Sequence, residues 1–102
     1  LLQKLLNEIE LVGRHLEVIQ VVEENQPIGI LKLSEILNIP SHRVRYSLKV
    51  LEQLGYIKAS PSGAVATEKA SHLVSNMDEE IDSMIAILES LKKRNSTKFQ
   101  NL

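Results

Sequence analysis

The sequence predicts a mainly α fold with one small β-hairpin. Three observations carry this expectation. Apolar residues recur at spacings of three and four over most of the chain. Proline and glycine interrupt that rhythm at only a few points. The last third carries a heptad-like apolar repeat without a slip. With 102 residues, the chain is sized for one domain, or one domain with a helical appendage. Its 43% apolar and 25% charged residues belong to a globular protein rather than a disordered one. A domain this small is marginal by itself, so subunit association is expected to add buried area.

Residues 2–25 read as helix because Leu2, Leu5, Ile9, Val12, Leu16 and Ile19 fall on one stripe. Glycine costs ~1 kcal/mol against alanine inside a helix, so a break or bend is expected at Gly13. The second part then runs from Arg14 to Asn25, its apolar face widened by Val18, Val21 and Val22. Gln26-Pro27-Ile28-Gly29 stops the helix, and Ile28 is a candidate for a very short first strand. A brief helix follows from Ile30 to Leu37, turning Ile30, Leu33 and Leu37 inward. Asn38-Ile39-Pro40 makes a turn, because Pro40 disfavours helical geometry at Ile39. Ser41 is placed to cap the next helix, His42 to Leu54, which buries Val44, Leu48 and Leu51 and ends at Gly55.

Tyr56 to Ala59 reads as a strand, Ser60-Pro61-Ser62-Gly63 as a turn, and Ala64 to Ala66 as the returning strand. Thr67 can cap the last helix, expected from Glu68 to Lys93. Along it Ala70, Val74, Met77, Ile81, Met84, Leu88 and Leu91 alternate spacings of four and three, a coiled-coil seam. A helix of ~26 residues extends about 39 Å at 1.5 Å per residue, more than the width of so small a domain. The seam therefore needs a partner, and an identical chain is the most economical one. The expected dimer surface combines Leu2, Leu5, Ile9 and Val12 with Val74, Met77, Ile81, Met84, Leu88 and Leu91. Two methionines in the seam pack adaptably and specify register weakly, so strand direction is open at this point.

The segment from Leu33 to Ile57 carries a family likeness. Leu33-Ser34, a short turn, Val44 and Leu48 four residues apart, Leu51, Gly55 and Ile57 stand where winged helix-turn-helix regulators of the MarR, ArsR and PadR kind have their motif residues. The chain resembles that superfamily over residues 14–67, about half its length. The resemblance implies a winged helix-turn-helix core with an N-terminal helix and a long C-terminal coiled-coil-like dimerisation helix. On this reading residues 1–13 are a helical extension, 14–67 the DNA-binding domain, 68–95 the dimerisation helix and 96–102 a flexible tail. The flanking helices look most like those of small prokaryotic or archaeal regulators.

With Val44, Leu48 and Leu51 facing the core, His42, Arg43, Arg45, Tyr46 and Lys49 are expected on the opposite, solvated arc. A helix fits the major groove of B-DNA, and arginine can bond guanine there through two donors. Ser41 at the helix start, and Lys58, Ser60 and Ser62 at the hairpin, are expected to touch phosphate or sugar. Charge distribution agrees. From Ser41 to Lys69 five bases (Arg43, Arg45, Lys49, Lys58, Lys69) oppose two acids (Glu52, Glu68), a net of +3, so the remainder carries −4 of the overall −1.

Other chemistries find little support. The chain has no cysteine, hence no disulfide framework, thiolate metal site or cysteine nucleophile. His15, His42 and His72 fall on three different predicted helices without ligand spacing, so no metal or cofactor is expected. Asp78, Glu79, Glu80 and Asp82 read as a solvated coiled-coil flank. No phosphate-binding glycine loop, nucleophile elbow or paired catalytic carboxylates appear, so no enzyme activity is expected. No apolar run approaches the ~20 residues of a membrane span, and a cytoplasmic location is expected. The chain opens at Leu1 rather than methionine, from which a longer native protein is expected.

The expected function is a homodimeric, DNA-binding transcriptional regulator, with recognition helix 42–54 in the major groove and wing 58–65 near the backbone. The alternative is a winged-helix protein-interaction module without sequence-specific DNA binding, which the acidic remainder and the sparse wing would suit. An architectural chromatin protein is a third reading, but the strongly positive net charge usual there is missing. Operator sequence and effector leave no trace in the residues.

Overall fold

A computed structural model describes residues 1–100, with side chains through residue 97. The elements run α1 (Leu2–Asn25), α2 (Ile30–Leu37), α3 (Ser41–Gln53), β1 (Ile57–Ser60), β2 (Gly63–Ala66) and α4 (Glu68–Gln100). The chain divides into two compact units, Leu1–His72 and Leu73–Leu102. The first holds the helix-turn-helix and its hairpin, and the second is supplied by α4. The architecture is mainly helical, with a winged helix-turn-helix order of elements.

In the first unit α1 packs on α2, α3 and β2, and α3 packs on α2 and β1. The core is aliphatic: Val18, Ile19 and Val22 from α1, Leu33 from α2, Val44 and Leu51 from α3, with Ile28, Ile57 and Ala70 closing it. Val18, Ile19 and Val22 lie within little more than one helical turn, so α1 buries its C-terminal part along a narrow stripe. Leu33 is the one fully buried residue of α2, while Ile30 and Leu37 are half-buried.

β1 and β2 pair antiparallel with Ile57 opposite Ala66, Lys58 opposite Val65, Ala59 opposite Ala64 and Ser60 opposite Gly63. Ile28 adds the expected miniature strand. Its N–H donates to the Ala64 carbonyl (3.1 Å) and its carbonyl accepts from the Ala64 N–H (2.7 Å). Gly63 makes that approach possible: a Cβ there would lie 2.6 to 2.8 Å from Ile28 backbone atoms, and its φ is +132°.

Four local expectations change. α1 is one continuous helix through Gly13. The local cost of a glycine, ~1 kcal/mol, does not outweigh the helix on either side of it. Ser41 does not cap α3 but is its first residue. Pro40 holds the cap position, and its carbonyl accepts from Arg43 N (3.0 Å) and Val44 N (3.2 Å). β1 begins one residue later than expected, at Ile57, where the Thr67 N–H donates to the Tyr56 carbonyl (3.0 Å) and closes the ladder beside the Ile57–Ala66 pair. α4 runs beyond Lys93 to Gln100, into residues expected as a flexible tail, of which 101–102 lie outside the described residues.

The other caps follow the sequence closely. Asn38 takes the left-handed conformation (φ 53°) at the end of α2, and Ser34 Oγ donates to the Ile39 carbonyl at 2.5 Å. Asparagine is among the few residues that visit this region readily. α3 closes at Leu54, with Gly55 at φ +87° beyond it. Thr67 caps α4, its Oγ1 accepting from Ala70 N at 3.4 Å while donating to the Gly55 carbonyl at 2.7 Å.

In the second unit Met77 is buried and Val74 half-buried, so they offer a partner less surface than the sequence implies. From Asp78 to Thr97 every residue of α4 is exposed. The apolar positions among them include Ile81, Met84, Ile85, Ile87, Leu88 and Leu91.

Candidate nucleic-acid interface

The candidate interface is the outer face of α3 with the adjoining hairpin. Val44, Ser47 and Leu51 are the buried residues of α3 and Leu48 is half-buried. At about 100° per residue, the middle of the opposite arc falls on His42, Lys49, Gln53 and Tyr46. All four are exposed. Gln53 carries no charge, so the basic pattern of the sequence does not point to it. An amide can nonetheless bond an adenine edge through two atoms.

The two arginines separate. They are two residues apart, about 200° around the helix, so they leave α3 on nearly opposite flanks. Arg43 borders an open cleft of about 580 Å³ lined from α1 by Asn7, Glu10, Arg14 and Glu17. The expectation of one shared arc for Arg43 and Arg45 is thus corrected: Arg43 faces a rim that includes two carboxylates. Arg45 lies on the other flank. With Lys49 and Glu52 it rims a cavity of about 320 Å³ between α3 and the hairpin, whose lining includes Ile28, Leu48 and Ile57.

At the hairpin Lys58 is exposed on β1, and Ser62 is exposed in the turn. Ser60 is half-buried and its Oγ donates to the Gly63 carbonyl at 2.6 Å, so its proton is committed to the turn. Ser41 is half-buried at the start of α3. Lys69, counted with the basic segment, is engaged behind the site. Its Nζ donates to the Leu54 carbonyl at 2.6 Å and lies 4.7 Å from the Tyr56 ring centroid. A cation there complements the negative end of α3.

What holds α3 in orientation was not visible from apolar spacing. Ser47 is fully buried, and its Oγ lies 3.2 Å from Arg14 Nε and 2.8 Å from His15 Nδ1. The Arg14 Nε–H donates to Ser47 Oγ, and the direction of the Ser47–His15 bond follows the tautomer of the ring. Burial, with the Arg14 charge in second place, holds His15 below its ordinary pKa, which favours the neutral ring. The His15 and Tyr46 rings lie 6.1 Å apart at 36°, so the same contact steadies one of the outward-facing side chains. Among the described residues, no group of three or more His, Asp or Glu side chains is arranged to hold a metal ion. No helix among them is long and apolar enough to cross a membrane.

No family model matches the chain, and no curated protein is significantly similar to it. Among solved structures, the fold is similar to the activation domain of the phage T4 transcription factor MotA. The TM-score is 0.56 at 18% identity, over 68% of this chain and 74% of that one. The likeness at this identity is one of fold.

Proposed function

We propose that this protein is a homodimeric, DNA-binding transcriptional regulator that places the outer face of α3 in a major groove and the hairpin near the backbone. The observation that carries this reading is the exposed arc of His42, Tyr46, Lys49 and Gln53, flanked by Arg45 and held from behind by buried Val44, Ser47 and Leu51. Supporting contacts come from Lys58 and Ser62 on the hairpin, with Ser41, Ser60 and Arg43 more peripheral. That the similar fold belongs to a transcription factor supports a role in transcription. Assignment among regulators of the MarR, ArsR or PadR kind rests on the motif residues Leu33, Ser34, Val44, Leu48, Leu51, Gly55 and Ile57. A cytoplasmic, non-enzymatic protein is part of the same reading.

Self-association is supported by apolar side chains left at the surface. Leu2 is 75% exposed, Ile9 50%, Met84 57% and Leu91 52%, more than a monomer in water leaves bare along two helices. A twofold dimer would present two copies of α3 to a palindromic site.

Fluorescence anisotropy with random-sequence duplex DNA, at low and moderate salt, tests the reading. Binding that weakens with salt and is lost in Arg45→Ala/Lys49→Ala supports it. A folded protein that does not bind at low salt overturns it. A second reading, a protein-interaction module, is favoured by one observation: the 320 Å³ cavity between α3 and the hairpin, with apolar lining and a rim of Arg45, Lys49 and Glu52, also suits an apolar side chain of a partner protein.

A further inference from the structure

We infer that the self-association proposed above is made by the exposed part of α4 pairing antiparallel with α4 of a second copy. The inference rests on that reading and adds the direction and the register. Extending the four-three alternation from Ala70 puts Ile81 and Leu88 at a positions, and Met84 and Leu91 at d positions. The positions beside this seam are then Asp78, Ile85 and Lys92 on one side (e) and Glu80, Ile87 and Arg94 on the other (g). All six are exposed, and among the described residues no ion pair engages the four charged ones.

Each flank therefore reads acid, isoleucine, base along the helix. In an antiparallel pair, e faces e and g faces g of the partner. Setting Ile81 against the partner's Leu91, and Met84 against the partner's Leu88, aligns both flanks at once. Asp78 then meets the partner's Lys92, and Glu80 meets the partner's Arg94. Twofold symmetry repeats both pairs, so four attractive contacts form and no like charges meet. Ile85 faces the partner's Ile85 and Ile87 the partner's Ile87, which covers two large side chains, 45% and 63% exposed, that the seam alone does not.

A parallel pair has none of this. There a g residue faces the e residue five positions on, so Glu80 would meet the partner's Ile85, and Ile87 the partner's Lys92. Each contact would set a charge against an aliphatic group. Surface ion pairs are individually weak, so their role here is to choose direction while the apolar seam supplies the association.

The absence of native cysteine makes the test clean. Ile81→Cys and Leu91→Cys are prepared separately, oxidised alone and as an equimolar mixture, and compared with the sedimentation of the unmodified protein. In the antiparallel register, 81 and its own copy are ten residues out of step, about 15 Å along the axis, beyond disulfide reach. The expected result is a dimer by sedimentation, a disulfide-linked dimer in the mixture, and none with either variant alone. Disulfide dimers of each variant alone, with a dimer in sedimentation, overturn the direction and leave self-association standing. A dimer that cross-links in neither experiment overturns this seam. A monomer overturns both the seam and the homodimer.

Discussion

Ser47 Oγ sits 2.8 Å from His15 Nδ1, joining the middle of α1 to the buried side of the helix proposed to face DNA. A hydroxyl at this depth is satisfied only by such partners, so the contact sets the rotation of α3 as well as its distance from α1. Removing one partner leaves the others short of hydrogen bonds.

Ser47→Ala is therefore expected to destabilise the protein by about 1–3 kcal/mol, the usual cost of orphaning a buried polar partner. Thermal unfolding checks this, each kcal/mol corresponding to roughly 4–8 °C in a domain of this size. A melting point unchanged within 1–2 °C, to order of magnitude, would show that the Arg14–Ser47–His15 contact contributes nothing.

Acid is expected to weaken the fold through His15. Its pKa in the folded protein lies below the ordinary 6.5, so the unfolded chain takes up the proton first. The stabilisation is complete above pH 6.5 and is progressively lost as pH falls through 6.5 toward the lower folded value. Urea unfolding across that range in wild type and His15→Gln isolates the contribution. An identical pH slope in the two proteins would rule it out.

Two glycines are expected to respond in opposite directions. Gly63→Ala forces a Cβ against Ile28 backbone atoms at a φ of +132° and should cost about 2 kcal/mol or more. Gly13→Ala meets no atom within 4 Å in the interior of α1 and should stabilise by about 0.5–1 kcal/mol. Chemical denaturation of the pair decides both, and equal effects would contradict the geometry.

On DNA, Lys49→Ala is expected to weaken binding more than Arg43→Ala. Lys49 lies near the middle of the exposed arc, whereas Arg43 borders a cleft with Glu10 and Glu17. If Lys49 meets a phosphate, its loss lowers the slope of log affinity against log salt by about 0.9. Salt titrations of both variants by anisotropy give the comparison, and a larger effect from Arg43 would move the interface toward α1.

Sequence alone determined the order of elements and most of their ends. Apolar spacing identifies every helix, Pro27 and Pro40 locate two of the breaks, and Gly55 and Thr67 mark two helix termini. These signals are legible because they act within one or two turns, on backbone geometry and side-chain periodicity. The same locality explains the misses. Gly13 marks a weak point that its helix passes through, and Ser41 has the chemistry of a cap while Pro40 holds the position. Only the tertiary structure showed that Ser47 is buried, that Arg43 borders a cleft lined by Glu10 and Glu17, and that Lys69 caps α3 instead of joining the basic face. Each of these depends on which arc of α3 meets α1 and the hairpin, and that rotation is set by contacts between residues far apart in the chain. His15 and Ser47 are separated by 32 positions, a spacing no local pattern encodes.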